Sequence, residues 1–236
     1  MYVRVCYRVP NMADTTSTVI DTEISYFNNI SANWWTDLKA LENQNKLRVP
    51  YIIKSLVETG KISREKAKND KPLAGINILD VGCGGGFLSE ERKDIQQNVK
   101  YIHGTVEKFC EQQKEQFDHV VAAEILDHIQ ARDLFVKSCV KTLKPGGTYF
   151  VSTINRTLRA WLQMILYHEY ITGVIPKGTH HWHLFVTPDE TRSWLENANC
   201  AILTCKGWCQ IADGDWKVCD NTTIAYYMIA MKKYEH

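Results

Sequence analysis

Residues 76–86 have the sequence INILDVGCGGG, a short apolar run followed by four glycines within five positions. The run predicts a strand, and the glycines predict a tight turn that leads into a helix. Glycine adopts positive φ angles and lets a ligand approach the backbone closely. The first N–H groups of the following helix are then available to that ligand. A turn with only a structural role fits the same residues.

The spacing of the glycines narrows the choice of ligand. Gly82, Gly84 and Gly86 depart from the G-x-G-x-x-G pattern of dinucleotide-binding turns, and the chain has no G-x-x-x-x-G-K-[S/T] for a triphosphate. Asp80 precedes the first glycine by two residues, and its negative charge disfavours a nearby phosphate. A ligand with an ammonium or sulfonium charge suits this turn better, which argues against a nicotinamide oxidoreductase.

Strand and helix patterns alternate on the carboxyl-terminal side of this turn. Strands are predicted at 99–103, 117–123, 148–153, 201–208 and 223–231. Helices are predicted at 105–116, 131–143, 156–174 and 188–199. This alternation, with a continuously apolar centre in 117–123, predicts an α/β fold with a doubly wound sheet and helices on both faces.

The composition limits the class of protein. The chain has 236 residues, 44% of them hydrophobic, and a net charge of +1, which predicts one globular α/β domain with a short extension and no bulk attraction to nucleic acid. No apolar run reaches the roughly 18 residues that a membrane-spanning helix needs. The eight cysteines include no C-x-x-C pair, so free thiols are expected rather than a zinc site or disulfides.

Three regions are predicted along the chain. Residues 1–60 are expected to form an N-terminal helical extension, 61–75 a charged linker, and 76–236 the main domain. Within the extension, residues 1–13 contain Arg4 and Arg8 and no acidic residue, a charge bias typical of organelle targeting peptides. An unstructured start explains the same bias.

Seven segments together carry a family resemblance. They are residues 32–35 (ANWW), 47–50 (LRVP), 80–86 (DVGCGGG), 123–128 (AEILDH), 143–147 (LKPGG), 152–156 (STINR) and 174–180 (VIPKGTH). DVGCGGG alone resembles the S-adenosylmethionine-binding signature of class I methyltransferases, which have a Rossmann-like sheet. The ordered set is similar to the ubiquinone-biosynthesis O-methyltransferase family, and the resemblance covers about residues 20–232.

This resemblance implies a substrate, a cofactor and a location. The family methylates polyprenylated dihydroxybenzoates and demethylubiquinol with S-adenosylmethionine, and in eukaryotes it works in mitochondria. It implies a peripheral position on the matrix side of the inner membrane, with other quinone-biosynthesis enzymes as partners and no nucleic acid. Arg48 is implied to bind the cofactor's carboxylate, and Gly82 and the backbone at Ala123 to contact the cofactor; Asp80 and Gly84 of the glycine turn join this candidate site.

Glu124, Asp127 and His128 lie where the family has a magnesium site. Glu124 ends a predicted strand at its carboxyl edge, and one helical turn would bring positions i+3 and i+4 to the same side. Mg²⁺ or another divalent cation held there would lower the pKa of a ring hydroxyl, with His128 also a catalytic candidate. The family usually has Glu where this chain has Asp127, so weaker metal binding is expected. A helix cap with a surface histidine is the alternative interpretation.

Two further segments have open interpretations. His180 lies in a loop that the resemblance places near the substrate, and it is a candidate general base, with loop packing as the alternative. Residues 156–174 form an apolar helix that either contacts a bilayer surface, which would suit a polyprenyl tail, or packs on the core as a lid.

A segment of the family pattern is missing after the glycine turn. Only residues 87–98 separate the glycines from the next predicted strand, whereas a βαβ unit needs roughly 30 residues. The family has a helix, a strand and another helix there, and that strand ends in the acidic residue that binds the cofactor's ribose. Three explanations of the missing segment are open. The sequence is a splice form or a misassembled gene model, or the lineage lost the segment naturally, or Glu107 takes over as the ribose ligand.

The missing strand leads to two hypotheses of function. Its loss is expected to leave a gap in the sheet and weak or absent binding of S-adenosylmethionine. The chain is then either a metal-assisted catechol O-methyltransferase or a catalytically impaired relative that acts as a scaffold subunit in a quinone-biosynthesis complex.

Overall fold

The computed structural model describes residues 2–6, 39–83, 99–210 and 216–234. The α-helices are α1 (Lys39–Glu58), α2 (Arg64–Ala67), α3 (Val106–Gln112), α4 (Arg132–Thr142) and α5 (Pro188–Asn197). A short helical turn, Leu158–Ala160, continues as a π-helix, Trp161–Ile171, and 3₁₀ turns lie at Leu126–His128 and Trp182–Leu184. The strands are β1 (Tyr2–Cys6), β2 (Ile78–Val81), β3 (Val99–His103), β4 (Phe117–Ala123), β5 (Leu143–Ile154), β6 (Cys200–Gln210), β7 (Trp216–Cys219) and β8 (Ala225–Lys232).

These strands form one mixed sheet in the order β3-β1-β2-β4-β5-β8-β6-β7. Strands β1 to β5 pair in parallel, whereas β8 pairs antiparallel with β5 and β6, and β7 pairs antiparallel with β6. The predicted α/β class with a Rossmann-like sheet is therefore confirmed. The glycine turn follows β2, and β4 and β5 lie beside it.

The sheet separates two apolar cores. On one face, Leu79 and Val120 pack with Phe135 of α4. On the other face, Ile78 and Val121 pack with a stripe of α1 that includes Leu56. Successive strand residues point to opposite faces, which is why a continuously apolar strand such as β4 is buried on both sides. Helix α1 is thereby fixed against the sheet next to the glycine turn.

Strand β1 occupies the position next to the glycine strand that was expected to be empty. Tyr2–Cys6 runs parallel to both neighbours, with Tyr2 opposite Ile78 on one side and Val99 on the other. The sheet has no gap here, so the expected gap is wrong, and residues 2–6 form a strand of the sheet. Two β-branched residues and a tyrosine favour a strand, and pairing satisfies backbone groups that β2 and β3 would otherwise leave open.

Smaller differences follow from packing. The predicted linker 61–75 contains α2 and the buried Ile62 and Leu73, and it covers the second core. Strand β5 begins at Leu143, five residues before the strand predicted at 148–153, and its pairing with β4 shifts register there. Strand β7 was not among the predicted strands.

The remaining predictions concern the glycine turn, the cysteines and a membrane span. The candidate site residue Gly84 lies outside the described residues. Six cysteines are free thiols in the described structure, at positions 83, 110, 139, 200, 205 and 219. None of the helices in the described residues has both the length and the hydropathy that a membrane span requires.

Candidate active site

The glycine turn packs directly against the segment that follows β4. Gly82 has a φ of +74°, and a Cβ placed there would lie 2.0 Å from Cδ1 of Ile125. Any side chain at this position would force the two segments apart, so glycine is required. Asp80 is buried at the end of β2. The turn and the residues after β4 therefore form one site at the carboxyl edge of the sheet, where open α/β sheets bind ligands.

Strand β4 ends in an unusual backbone conformation. Ala123 is half-buried at the last position of the strand, and Glu124 follows with a φ of +49°. The left-handed region is rare for residues other than glycine and is enriched at functional sites. The backbone N–H of Glu124 donates to the carbonyl of Ser152 at 2.9 Å, which holds this turn against β5.

Glu124 forms an ion pair with Arg48 of α1. Its Oε1 accepts from Arg48 Nη2 at 3.0 Å and from the Ser152 hydroxyl at 2.6 Å. The guanidinium is held in turn by Asn45 Oδ1 and Gln44 Oε1, each at 2.8 Å. Burial raises the pKa of the Glu124 carboxyl, and the Arg48 charge opposes that rise. Arg48 thus lies at the predicted cofactor site, and its observed partner is a predicted metal ligand.

The predicted metal trio does not assemble. Asp127 Oδ1 accepts from the Thr153 hydroxyl at 3.3 Å, and His128 Nε2 lies 3.5 Å from Asp127 Oδ2. Glu124 instead contacts a guanidinium, whose positive charge opposes a cation at the same oxygen. No three His, Cys, Asp or Glu side chains of the described ranges form a group that could hold a metal ion.

The local backbone explains this correction. Leu126–His128 is a 3₁₀ turn rather than α-helix, and Glu124 precedes it with a positive φ. In the predicted α-helical turn, positions i+3 and i+4 would both lie on the side of Glu124. The positive φ of Glu124 and the tighter 3₁₀ turn change that arrangement. The donor set therefore does not fit a divalent cation in this arrangement.

Three buried hydrogen-bond donors gather on the α1 side of Glu124. Asn45 Nδ2, Arg48 Nε and the Tyr227 hydroxyl find no partner among the residues that the structure describes. Burial raises the pKa of Tyr227 to about 12, and the charges of Arg48 and Glu124 also act on this hydroxyl, which places it near both. An unsatisfied buried donor costs about 1–3 kcal/mol, so three in one place indicate an acceptor from a ligand.

This donor set fits the carboxylate of S-adenosylmethionine. A carboxylate offers only acceptor oxygens, and the three unpaired groups can all donate. Sequence reasoning predicted Arg48 for this role but missed Asn45 and Tyr227. Asn45 precedes Arg48 by three residues on the same helical face, a spacing that could have revealed it. Tyr227 comes from β8, and no local sequence signal identifies it.

His180 lies in a loop held by a buried carboxylate. His180 Nδ1 lies 2.7 Å from Oε1 of Glu169, which also accepts from the backbone N–H of His180 at 2.9 Å. Oε2 of Glu169 accepts from the backbone N–H of Gly178 at 2.8 Å. Burial dominates the pKa of Glu124, but the charge of His180 also lowers it, so this imidazole lies within electrostatic range of Glu124.

The remaining candidates lie elsewhere. His181 and His183 are exposed, with ring centroids 5.8 Å apart. Glu107 is buried. Burial raises the pKa of the Cys139 thiol, and the negative charge of Glu107 raises it further, so Glu107 lies near Cys139. Its predicted contact with a ribose stays a prediction.

Exposed apolar side chains cluster in sequence around the π-helix and the loop that follows it. They are Leu158, Leu162, Leu166, Tyr167, Tyr170, Ile171, Val174 and Trp182. We call this set the apolar surface. Large exposed apolar patches on soluble domains mark sites that bind lipid, ligand or protein.

Comparison with known proteins shows the family of this chain. Residues 58–204 match the family described as a methyltransferase domain. The chain is 31% identical over 255 residues to the rat mitochondrial ubiquinone biosynthesis O-methyltransferase, covering 94% of this chain and 73% of the relative. It is 32% identical over 230 residues to the ubiquinone biosynthesis O-methyltransferase of Pelagibacter ubique, covering 86% of this chain and 94% of the relative.

The alignment lengths bear on the missing segment. Because 94% of this 236-residue chain is about 222 residues, about 33 of the 255 positions aligned with the rat relative have no counterpart here. This difference is the size of one β-α unit.

Solved structures share the fold at low sequence identity. A methyltransferase from Thermotoga maritima has a TM-score of 0.56 at 13% identity, covering 90% of this chain and 99% of the other. The magnesium protoporphyrin IX methyltransferase of Synechocystis, solved with S-adenosylhomocysteine, has a TM-score of 0.53 at 13% identity, covering 89% and 99%. These likenesses establish the class I methyltransferase fold.

Proposed function

This chain belongs to the ubiquinone biosynthesis O-methyltransferase family, and we propose that it methylates a ring hydroxyl of a polyprenylated dihydroxybenzoate or of demethylubiquinol. S-adenosylmethionine supplies the methyl group. The observation that carries the proposal is the set of three buried donors beside Glu124, at the edge of the sheet where the glycine turn lies. These donors suit the carboxylate end of the cofactor.

The cofactor site in this proposal combines helix and sheet. Arg48, Asn45 and Tyr227 bind the carboxylate. Gly82 and the backbone at Ala123 line the site, and Asp80 supplies a negative charge near the cofactor's positive groups. The Arg48–Glu124 ion pair orients the guanidinium, because Glu124 and Asn45 hold its Nη atoms and leave Nε for the ligand.

The chemistry that this chain's residues contribute is proton removal and orientation. A ring hydroxyl becomes a strong nucleophile when a base takes its proton, and a well-placed base typically contributes 10²–10⁴-fold. We assign this role to His180, whose ring is oriented by Glu169. His128 beside Asp127 is the second candidate. The oriented donors around the cofactor hold the two reactants for an in-line transfer.

The apolar surface supports peripheral contact with a membrane. A polyprenyl tail resides in the bilayer, and exposed aromatic and aliphatic residues of the π-helix could bury themselves among lipid headgroups. The eukaryotic relatives are mitochondrial, so we propose the matrix face of the inner membrane as the location, near other enzymes of quinone synthesis.

Vesicle flotation tests the membrane proposal. The double variant Leu166→Glu with Ile171→Glu should lose most binding to vesicles containing cardiolipin, because two charges would enter the apolar surface. Leu203→Glu replaces a leucine of similar exposure on β6 and should bind like the wild type. Equal flotation of all three proteins would refute membrane contact through this surface.

The catalytic proposal has a direct test. The wild-type chain is incubated with S-adenosylmethionine and a dihydroxybenzoate bearing a short prenyl tail, and the product is identified by mass spectrometry. A methylated ring hydroxyl supports the proposal. S-adenosylhomocysteine binding without turnover on any catechol would instead favour the scaffold hypothesis. The complete sheet supports the enzyme, since β1 fills the position expected to be empty.

A further inference from the structure

We propose that Glu169 is a positioning residue for the methyl transfer: it holds His180 in the one tautomer and orientation that can accept the substrate's proton. This inference rests on the proposed function, and it adds a residue that the family resemblance did not identify. It is carried by the backbone register of the π-helix and by the contacts of both Glu169 oxygens.

The π-helix brings Glu169 inside. Ala160, Met164 and Glu169 are the buried residues of this segment, at spacings of four and then five. The backbone N–H of Thr172 donates to the carbonyl of Tyr167 at 2.8 Å, an i→i+5 hydrogen bond. With the 3.6-residue period of an α-helix, position 168 rather than 169 would continue the face of 160 and 164. Wide turns of this kind are frequent at functional sites.

The carboxylate does more than hold the loop. Glu169 is fully buried, and the two backbone N–H groups of Gly178 and His180 already provide one bond to each oxygen. The additional contact with His180 Nδ1 at 2.7 Å brings a titratable ring to a buried negative charge. A buried carboxylate is costly unless it is paired, and a protonated imidazole is a suitable partner.

The contact also determines which ring nitrogen is free. When Nδ1 carries its proton and donates to Glu169, Nε2 of the neutral ring has a lone pair. The ring plane is fixed a second time by the buried Phe185, whose centroid lies 6.1 Å from that of His180 with an interplanar angle of 71°. Nε2 is therefore the nitrogen left to accept a proton, on a ring whose charge also acts on Glu124.

The proton and electron pairs balance in this arrangement. The substrate O–H bond breaks as its proton moves to Nε2, and the oxygen forms a new bond to the methyl carbon. The bond between that carbon and sulfur breaks, and its electron pair stays on sulfur. The imidazolium is stabilised by Glu169 and returns its proton to water after product release.

Two catechols of different acidity distinguish a positioning role of Glu169 from a purely structural one, because only the less acidic catechol needs a base to remove its proton. Glu169→Gln keeps the shape of the side chain but loses its charge, and it should lower kcat about 30-fold to 100-fold on an unsubstituted catechol. On a nitrocatechol, whose hydroxyl is already ionised at neutral pH, the loss should be under fivefold. Glu169→Asp keeps the charge and should recover part of the rate.

The matched control is Glu190→Gln. Glu190 also binds a backbone N–H and a cation, through Thr187 and Arg156, but it caps α5 away from His180. This variant should lose thermal stability without a selective loss on the less acidic catechol. An equal loss of kcat on both catechols by Glu169→Gln would overturn the proposal, because it would indicate only a disturbed loop.

A readout independent of turnover uses the ring nitrogens. Nitrogen-15 NMR of the wild-type protein should show His180 with its proton on Nδ1, and Glu169→Gln should change that tautomer distribution. An unchanged distribution would refute positioning by Glu169. If the wild type methylates no catechol, the proposed function fails, and this measurement still decides whether Glu169 sets the tautomer.

Discussion

At the scale of single residues, the site combines buried polar groups that have hydrogen-bond partners with buried polar groups that have none in the described structure. Arg48 is held by Asn45, Gln44 and Glu124, yet its Nε is left with no acceptor in the described structure. The buried Tyr227 hydroxyl also has no hydrogen-bond partner in the described structure. Such groups lower the stability of the empty protein and strengthen binding of the ligand that satisfies them.

Tyr227→Phe is therefore expected to have opposite effects on stability and affinity. Removal of an unpaired buried hydroxyl should leave the melting temperature unchanged or raise it by a few degrees. Loss of a donor to a carboxylate should raise the Kd for S-adenosylhomocysteine about tenfold, measured by calorimetric titration.

The adjacent Tyr226 provides the control for this change. Its hydroxyl bonds to the Thr191 hydroxyl at 2.7 Å and to the Thr187 carbonyl at 3.1 Å. Tyr226→Phe should therefore lower the melting temperature and leave the Kd within twofold. A Tyr227→Phe protein that melts earlier and binds the cofactor normally would show that this hydroxyl has a structural partner.

Sequence reasoning located structure well where the cause was local. Gly82 lies in the tight turn that a strand followed by glycines predicts. Arg48 was implied by the resemblance, and its role at the cofactor stays a prediction. Glu169 could not be identified, because its inward position depends on an i→i+5 register that an apolar pattern does not reveal. The metal trio was expected from an α-helical turn, and the structure has a 3₁₀ turn there instead.

At the scale of elements, α1 carries Asn45 and Arg48, two of the proposed cofactor ligands. Its carboxyl-terminal half is anchored in the second core through Ile52 and Leu56. Helix α1 begins at Lys39, and Pro50 lies in its interior, two residues after Arg48. An internal proline removes one backbone hydrogen bond and kinks or bends a helix. We therefore expect a bend in α1 beside Arg48.

Pro50→Ala is expected to raise the stability of the protein and to weaken its binding of S-adenosylhomocysteine. Restoring the hydrogen bond should raise the melting temperature by a few degrees, because proline is about 3 kcal/mol worse than alanine inside a helix. A straighter helix should move Arg48 relative to Glu124, and the Kd for S-adenosylhomocysteine should rise at least threefold. Circular dichroism melts and calorimetric titration test both effects.

Ala67→Ser, on the short helix α2 beyond the bend, is the comparison. It should change the Kd by less than twofold, because α2 contributes no ligand to the site. If Pro50→Ala binds the cofactor as tightly as the wild type, the helix is not bent in a way that positions Arg48.

At the scale of the whole molecule, the order of strands shows how a shortened chain keeps a continuous sheet. Only residues 82–98 connect β2 to β3, too few for a β-α unit of the usual length. Strand β1 lies between β2 and β3 and pairs with both. This could not be predicted from the local sequence, because five residues with moderate strand propensity become a central strand only where two open neighbours exist.

The central position of β1 makes the amino-terminal residues necessary for folding and for the cofactor site beside β2. Val3→Pro removes a backbone N–H within a strand that is paired on both sides, and central strands rarely accept proline. We expect the melting temperature to fall by about 10 °C and binding of S-adenosylhomocysteine to be lost, since about 3 kcal/mol shifts the midpoint by this amount in a domain of this size. Differential scanning fluorimetry and calorimetric titration measure the two effects.

Val3→Thr separates the backbone effect from the identity of the side chain. Threonine is also β-branched and keeps the N–H, so this variant should melt within about 3 °C of the wild type and still bind the cofactor product. If Val3→Pro and Val3→Thr melt alike, then β1 does not complete the sheet.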